Sequence, residues 1–236
     1  MKGNSTLSAT DSTSNVNNGT VTNVSVETGQ IDGAASFDGG VTDCIDMGDP
    51  ANGSLDIGAD VEFTVSAWIK LNNTTQDHKV IDKRNVAGYQ LRYTATETGG
   101  VEKVFVRVDE GATLNDTATT ADNAGVDGTW HYFVGGRDTS NNFLYLDGAL
   151  NNTTADSTLA DLSETASFFV GGNCIDDTMV GGVDEVRFSN TDRSSDWIAT
   201  EYNNQVSPKG FHAVGGQEVS SITDPLLEIK GGVEFR

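Results

Sequence analysis

A chain of 236 residues is long enough to fold as one large all-β unit without cross-links. Its 35 acidic and 14 basic residues leave a formal charge of −21. That balance argues against a nucleic-acid partner, which needs a basic face, and against attraction to anionic membranes. No stretch reaches the roughly 20 apolar residues of a membrane-spanning helix, so no membrane insertion is expected.

Hydrophobic residues make up only 36%. Asn, Thr, Ser, Asp and Gly fill the remainder and favour turns and strand ends over helices. Residues 1–19 read as an irregular opening segment. Strand signals then recur between Gly, Asn and Asp breaks. The first are Thr20–Glu27, Ala34–Asp38 before Gly39-Gly40, and Asp43–Met47 before Gly48-Asp49-Pro50. The clearest is Glu62–Leu71, where Phe63, Val65, Ala67 and Ile69 share one face and Glu62, Thr64, Ser66, Trp68 and Lys70 the other. Lys79–Lys83, Gly88–Ala95, Val101–Val108 and a weaker Ala112–Thr119 follow. In Val101–Val108, three valines oppose Phe105 and Arg107. Trp130–Gly135, Asn142–Leu146 with its Asp147-Gly148 turn, Phe168–Gly171 and Gly182–Phe188 end the series. One helix is expected from Ser194 or Ser195, through Trp197, Ile198 and Tyr202, to about Asn203-Asn204. After a linker, Leu227, Ile229, Val233 and Phe235 alternate with Glu228, Lys230, Glu234 and Arg236 as a tail strand.

Many short strands with no interleaved helices predict an all-β, two-sheet antiparallel jelly-roll sandwich with one short helix. The expected organisation is a sandwich over residues 1–210 and a linker with tail strand over 211–236.

Several segments, taken in order, resemble the LamG-like jelly-roll family of the concanavalin A-like lectin/glucanase superfamily. They are Asp11-Ser-Thr-Ser-Asn15-Val-Asn17-Asn-Gly19-Thr, Gly33-Ala-Ala-Ser-Phe37-Asp38-Gly39 with Asp43-Cys-Ile-Asp-Met-Gly48, and Phe63-Thr-Val-Ser-Ala-Trp68. Gly128-Thr-Trp130-His131, Leu144-Tyr145-Leu-Asp147-Gly148 and Gly181-Gly-Val-Asp184-Glu185-Val-Arg187-Phe complete the match. The sequence departs from the family pattern at Ser14, at Cys44 and through 172–180. The resemblance implies a Ca²⁺ ion in many members and carbohydrate or protein binding in some; it does not imply catalysis.

Candidate residues follow. Asp11, Asn15, Asn17 and Gly19 lie on a turn-rich segment able to offer oxygens to Ca²⁺, and six to eight are needed. In the resembled fold the strand bearing Asp184 runs nearby, which makes Asp184 the distant ligand. The plainer alternative is a loop of Asx turns facing water. Asp176-Asp177 is a second acidic cluster. Trp68, Tyr89, Arg92 and Tyr145 are candidates for a ligand surface of rings and polar groups; alternatively the aromatics pack in the core. Cys44 and Cys174 are either buried thiols or, in a secreted protein, a disulfide.

Catalysis is not expected. A retaining glycosidase needs two carboxylates on one strand face, whereas Asp184 and Glu185 are adjacent and point apart. His131 has no nucleophile motif near it. The leading expectation is therefore a noncatalytic extracellular binding and adhesion module for carbohydrate or a cell-surface protein, with structural Ca²⁺. The alternatives are an assembly domain that self-associates through its tail strand and, more distantly, a glycoside hydrolase.

Overall fold

The computed structural model describes residues 7–72, 75–95, 102–111, 114–119, 121, 123–156, 158–176 and 178–208. Its strands are β1 (Thr20–Thr22), β2 (Ser25–Thr28), β3 (Gly33–Asp38), β4 (Cys44–Asp46), β5 (Phe63–Leu71), β6 (His78–Arg84) and β7 (Ala87–Thr94). They continue with β8 (Lys103–Glu110), β9 (Leu114–Ala118), β10 (His131–Arg137), β11 (Asn141–Leu146), β12 (Ala149–Ala155), β13 (Phe169–Val170) and β14 (Val180–Ser189), and the helix is α1 (Ser195–Val206). The strands form two seven-stranded antiparallel sheets, a jelly-roll sandwich. One runs β1-β4-β13-β6-β7-β8-β9 and the other β12-β11-β10-β5-β14-β3-β2.

Alternation builds the core. Phe63, Val65, Ala67, Ile69 and Leu71 of β5 meet Ile81, Leu91, Val106 and Val108 of the opposite sheet, all of them buried. The hairpin β11–β12 turns on Asp147-Gly148, both with positive φ, as a two-residue turn that follows strand twist requires. The expected strand over 20–27 is split. Asn23 takes a φ of 53°, and the chain passes from one sheet (β1) to the other (β2).

Helix α1 is capped by Ser194, whose hydroxyl accepts from the Trp197 amide at 3.3 Å. It runs to Val206, beyond the expected Asn203-Asn204. The helix lies against the outer face of the second sheet, where Ile198 packs with Trp68, Tyr132 and Val134. The Trp68 indole N–H donates to Gln205 and the Tyr132 hydroxyl to Glu201. Among the described residues no helix covers the outer face of the first sheet.

Two buried cations hold the long loops to the sandwich. Lys83 Nζ donates to Asp49 Oδ1, Glu164 O and Ala166 O, each at 2.9 Å, and lies 3.0 Å from Asp56 Oδ1. Arg137 donates to the carbonyls of Ala160 and Val61 at 2.9 Å. Each satisfies loop carbonyls that a buried connection would otherwise leave unpaired. Cys44 and Cys174 form a disulfide with a Cα–Cα distance of 5.3 Å, tying β4 to the loop between β13 and β14. The tail strand expected over 227–236 lies outside the described residues.

Candidate functional site

The face of the first sheet turned away from the core carries a polar band set by strand register, and its Asp82, Gln90, Arg92, Phe105 and Arg107 are buried. Asp46, Phe169, Asp82, Gln90, Arg107 and Asp116 are cross-strand partners in one row across six strands. The next row holds Lys79, Arg92 and Phe105, and on the other side Arg84 and Asp109 flank Gly88. Two guanidinium groups lie over the Phe105 ring, Arg92 at 5.3 Å and Arg107 at 5.2 Å from its centroid. Such stacking fixes both planar heads over an aromatic platform.

Hydrogen bonds lock the band. Arg107 is bidentate on Asp116, with Nε–Oδ1 at 2.8 Å and Nη2–Oδ2 at 2.7 Å. Arg92 Nη2 donates to Asp77 at 3.0 Å, and Gln90 Nε2 donates to Asp82 at 2.9 Å. Lys79 pairs with Asp176, and Arg84 with Asp109. Burial pushes the Asp82 carboxyl above the ordinary carboxylate range, against the opposing Gln90 hydrogen bond and the Lys79 and Arg84 charges. Two buried atoms on β7 find no hydrogen-bond partner: Gln90 Oε1, an acceptor, and Arg92 Nε, a donor. Each cation of the band is paired with a carboxylate, and the Phe105 ring is buried beside the two guanidinium groups.

The predicted ligand residues divide. Arg92 is on this face. Tyr89 belongs to the same strand but the opposite face; it is fully buried, and its hydroxyl donates to Leu55 O at 2.9 Å. Trp68 is buried under α1, stacked near Tyr132 and Tyr202. Tyr145 is half-buried on the second sheet, edge-on to Phe143. Trp68 and Tyr89 are therefore core residues, Trp68 because α1 covers its face and Tyr89 because its face is the inner one. Gln90, Asp82, Phe105 and Arg107 escaped the sequence reading. Their signal was present in the polar positions alternating with Leu91 and with the β8 valines.

The predicted calcium residues come closer together. Asp11, Asn15, Asn17 and Asp184 line one cleft of about 620 Å³ between residues 7–17 and β14. The two carboxylates are already engaged. Asp11 accepts from the amides of Thr13 and Asn17 at 2.8 Å and from the Thr13 hydroxyl at 2.9 Å. These bonds outweigh the upward push of burial and hold its carboxyl below the ordinary range. Asn17 Nδ2 donates to Ser54 Oγ at 2.8 Å. Asp184 Oδ2 accepts from the Ile31 amide at 2.8 Å, and burial pushes this carboxyl up to about 6. Gly19 has a packing reason instead: a Cβ there would fall 2.5 Å from Met47 Sδ. Among the described residues no three His, Cys, Asp or Glu side chains converge as metal ligands. As placed, these donors do not fit the six to eight oxygens of a Ca²⁺ shell. Asp176 is taken by Lys79, and Asp177 lies outside the described residues.

His131 is clasped by two carboxylates, with Nδ1 2.7 Å from Asp147 Oδ2 and Nε2 3.2 Å from Asp127 Oδ1. The Asp147 hydrogen bond raises its pKa against the effect of burial.

A family model described as Concanavalin A-like lectin/glucanases superfamily matches residues 38–199, and the chain belongs to that superfamily. The sequence has no match among curated proteins. The fold is similar to the binding domain of Paraclostridial Mosquitocidal Protein 1, with a TM-score of 0.66 and 12% identity over 83% of this chain and 49% of that one. It is also similar to the binding domain of Botulinum Neurotoxin serotype G, with a TM-score of 0.64 and 15% identity over 83% and 48%. The chain thus spans about half the length of these two toxin domains. A third relative is Domain 4 of AbnA, an extracellular GH43 arabinanase from Geobacillus stearothermophilus, solved with arabinotriose. Its TM-score is 0.62, with 18% identity over 81% of this chain and 91% of that one. No helix among the described residues is long and apolar enough to cross a membrane.

Proposed function

We propose that this chain is a noncatalytic carbohydrate-binding module acting outside the cell, with its binding platform on the outer face of β6–β9. The observation that carries this reading is the Arg92–Phe105–Arg107 stack beside Gln90 Oε1 and Arg92 Nε, the two unpartnered atoms on β7. Both atoms are buried and without a partner among the described residues, and a sugar hydroxyl, which donates and accepts, answers both once the side chains around them part to admit it. Leaving them unpaired costs about 1–3 kcal/mol each, which a hydroxylated ligand recovers. Asp116 and Asp109 of the band are tied to Arg107 and Arg84, and Asp82 accepts from Gln90. The arabinanase domain solved with arabinotriose supports the ligand class, and the toxin binding domains support recognition rather than chemistry.

A glycan array followed by titration calorimetry tests it. The wild-type chain should bind at least one neutral oligosaccharide, and Gln90→Met and Arg92→Met should each weaken that binding roughly tenfold or more, about the worth of one lost hydrogen bond to a charged or buried group. Binding that survives both substitutions, or release of reducing ends from the bound glycan, would overturn the proposal.

A further inference from the structure

Gln90 Oε1 and Arg92 Nε are buried, so something must move before a ligand reaches them. The corner that holds them is closed from β6. Lys79 is the cross-strand partner of Arg92, and Asp82 that of Gln90. In a regular strand, residues three apart point to opposite faces. Here the register shifts between Lys79 and Ile81, and the extra residue brings Lys79 and Asp82 to one face, with Nζ 4.0 Å from Asp82 Oδ2.

Lys79 also reaches out of the sheet. Its ammonium pairs with Asp176, on the loop between β13 and β14. That loop is pinned on both sides of Asp176. Cys174 is bonded to Cys44, the Thr178 hydroxyl donates to Gly39 O at 3.0 Å, and Thr178 O lies 2.9 Å from His78 Nδ1. Asn173 Oδ1 accepts from the amides of Ile175 at 3.1 Å and Asp176 at 2.9 Å, a side-chain turn that sets the direction of Asp176. The tip itself stands in solvent. Ile175 is 76% exposed, and the Asp176 side chain 59%, against 11% for Lys79. The Lys79 hydrogen bond holds the Asp176 carboxyl below the ordinary range against the push of burial, and the Arg92 charge adds to it. The carboxylate therefore lies within the field of both cations at the corner.

This contact has a second arrangement open to it. When Asp176 lifts, Lys79 still has Asp82, so no buried cation is left without a carboxylate. Asp176, already largely exposed, passes to water. The exchange costs no more than a half-exposed ion pair is worth. We propose that Asp176 is a latch on the sugar platform: paired with Lys79 it shuts the corner over Gln90 and Arg92, and its release admits the ligand. The inference rests on the platform reading for its ligand, whereas the latch itself is a property of the unliganded protein.

Asp176→Ala, compared with the wild type, tests it by two readouts. Without sugar, water exchange of the Gln90 side-chain amide, followed by NMR, should speed roughly two- to fivefold, because the ion pair no longer opposes opening. With a neutral oligosaccharide, the association rate should rise by the same roughly two- to fivefold and the dissociation rate should stay unchanged, because the bound state has no latch to lose. Ile175→Ser, at the exposed tip beside it, should match the wild type in both. Unchanged Gln90 exchange in Asp176→Ala would overturn the latch whatever the sugar does. So would faster dissociation, which marks Asp176 as a direct sugar contact. Faster exchange in a protein that binds no sugar would support the latch and overturn the platform reading alone.

Discussion

Asp184→Asn is expected to stabilise the protein at pH 8 and to leave its stability nearly unchanged at pH 4. Asp184 is only 6% exposed, and burial lifts its carboxyl from 3.8 to about 6. A raised value means that the folded state prefers the protonated acid. The stability this provides is fully present below the ordinary 3.8 and is lost as the pH rises through about 6. The gap of about 2 pH units, at 1.36 kcal/mol each, puts the cost of the ionised form near 3 kcal/mol. Asn keeps an acceptor for the Ile31 amide and carries no charge, but its amide is still desolvated. A gain of about 1–3 kcal/mol at pH 8 is therefore expected. Urea denaturation at unit steps from pH 4 to pH 8, at constant ionic strength, reads it directly. A difference that does not vary with pH, or an Asn variant less stable at pH 8, would refute the reasoning.

Other substitutions probe the scaffold. Replacing Cys44 and Cys174 by Ser opens a link between residues 130 apart and should lower stability by about 2–5 kcal/mol, read as a fall in Tm relative to the oxidised wild type. Lys83→Met leaves Asp49, Asp56 and two loop carbonyls without their cation, and should cost about 2–4 kcal/mol in chemical denaturation. His131 has its pKa raised by Asp147, so its contribution is fully present below the ordinary 6.5 and disappears as the pH rises through the folded value. His131→Gln should accordingly lower Tm more at pH 5.5 than at pH 9. Because the Asp11 carboxylate already staples its own loop, Asp11→Ala should lower Tm equally with added Ca²⁺ and with chelator; a drop seen only in Ca²⁺ would restore a metal role.

The sandwich was legible because the strongest period-two segment, Phe63–Leu71, is the central strand β5, and the β8 valines alternate as cleanly. What two-residue periodicity cannot show is which outward face gets covered. Trp68 shares a face with Ser66 and Thr64, yet α1 seals that face, so the ring is core. On β7 the same rule separates Tyr89 from Arg92, and only the choice of the inner face decides which one joins the apolar core. β12 was missed because Ala-Leu-Asn-Asn-Thr-Thr-Ala reads as turn residues; as an edge strand it needs only one partner and no buried alternation. The break between β1 and β2 rests on the positive φ of Asn23, a conformation its composition permits but does not demand. Asp11 and Asp184 do line one cleft, as the family pattern suggested, but local hydrogen bonds to Thr13, Asn17 and Ile31 use their oxygens.

The most direct test of the sugar platform is amide chemical-shift mapping during titration with a neutral oligosaccharide such as arabinotriose. Saturable shifts centred on Asp82, Gln90, Arg92, Phe105 and Arg107, with α1 and β14 silent, are the predicted result. Saturable shifts centred on the β14 cleft, or none at millimolar sugar across a panel of neutral oligosaccharides, would contradict it.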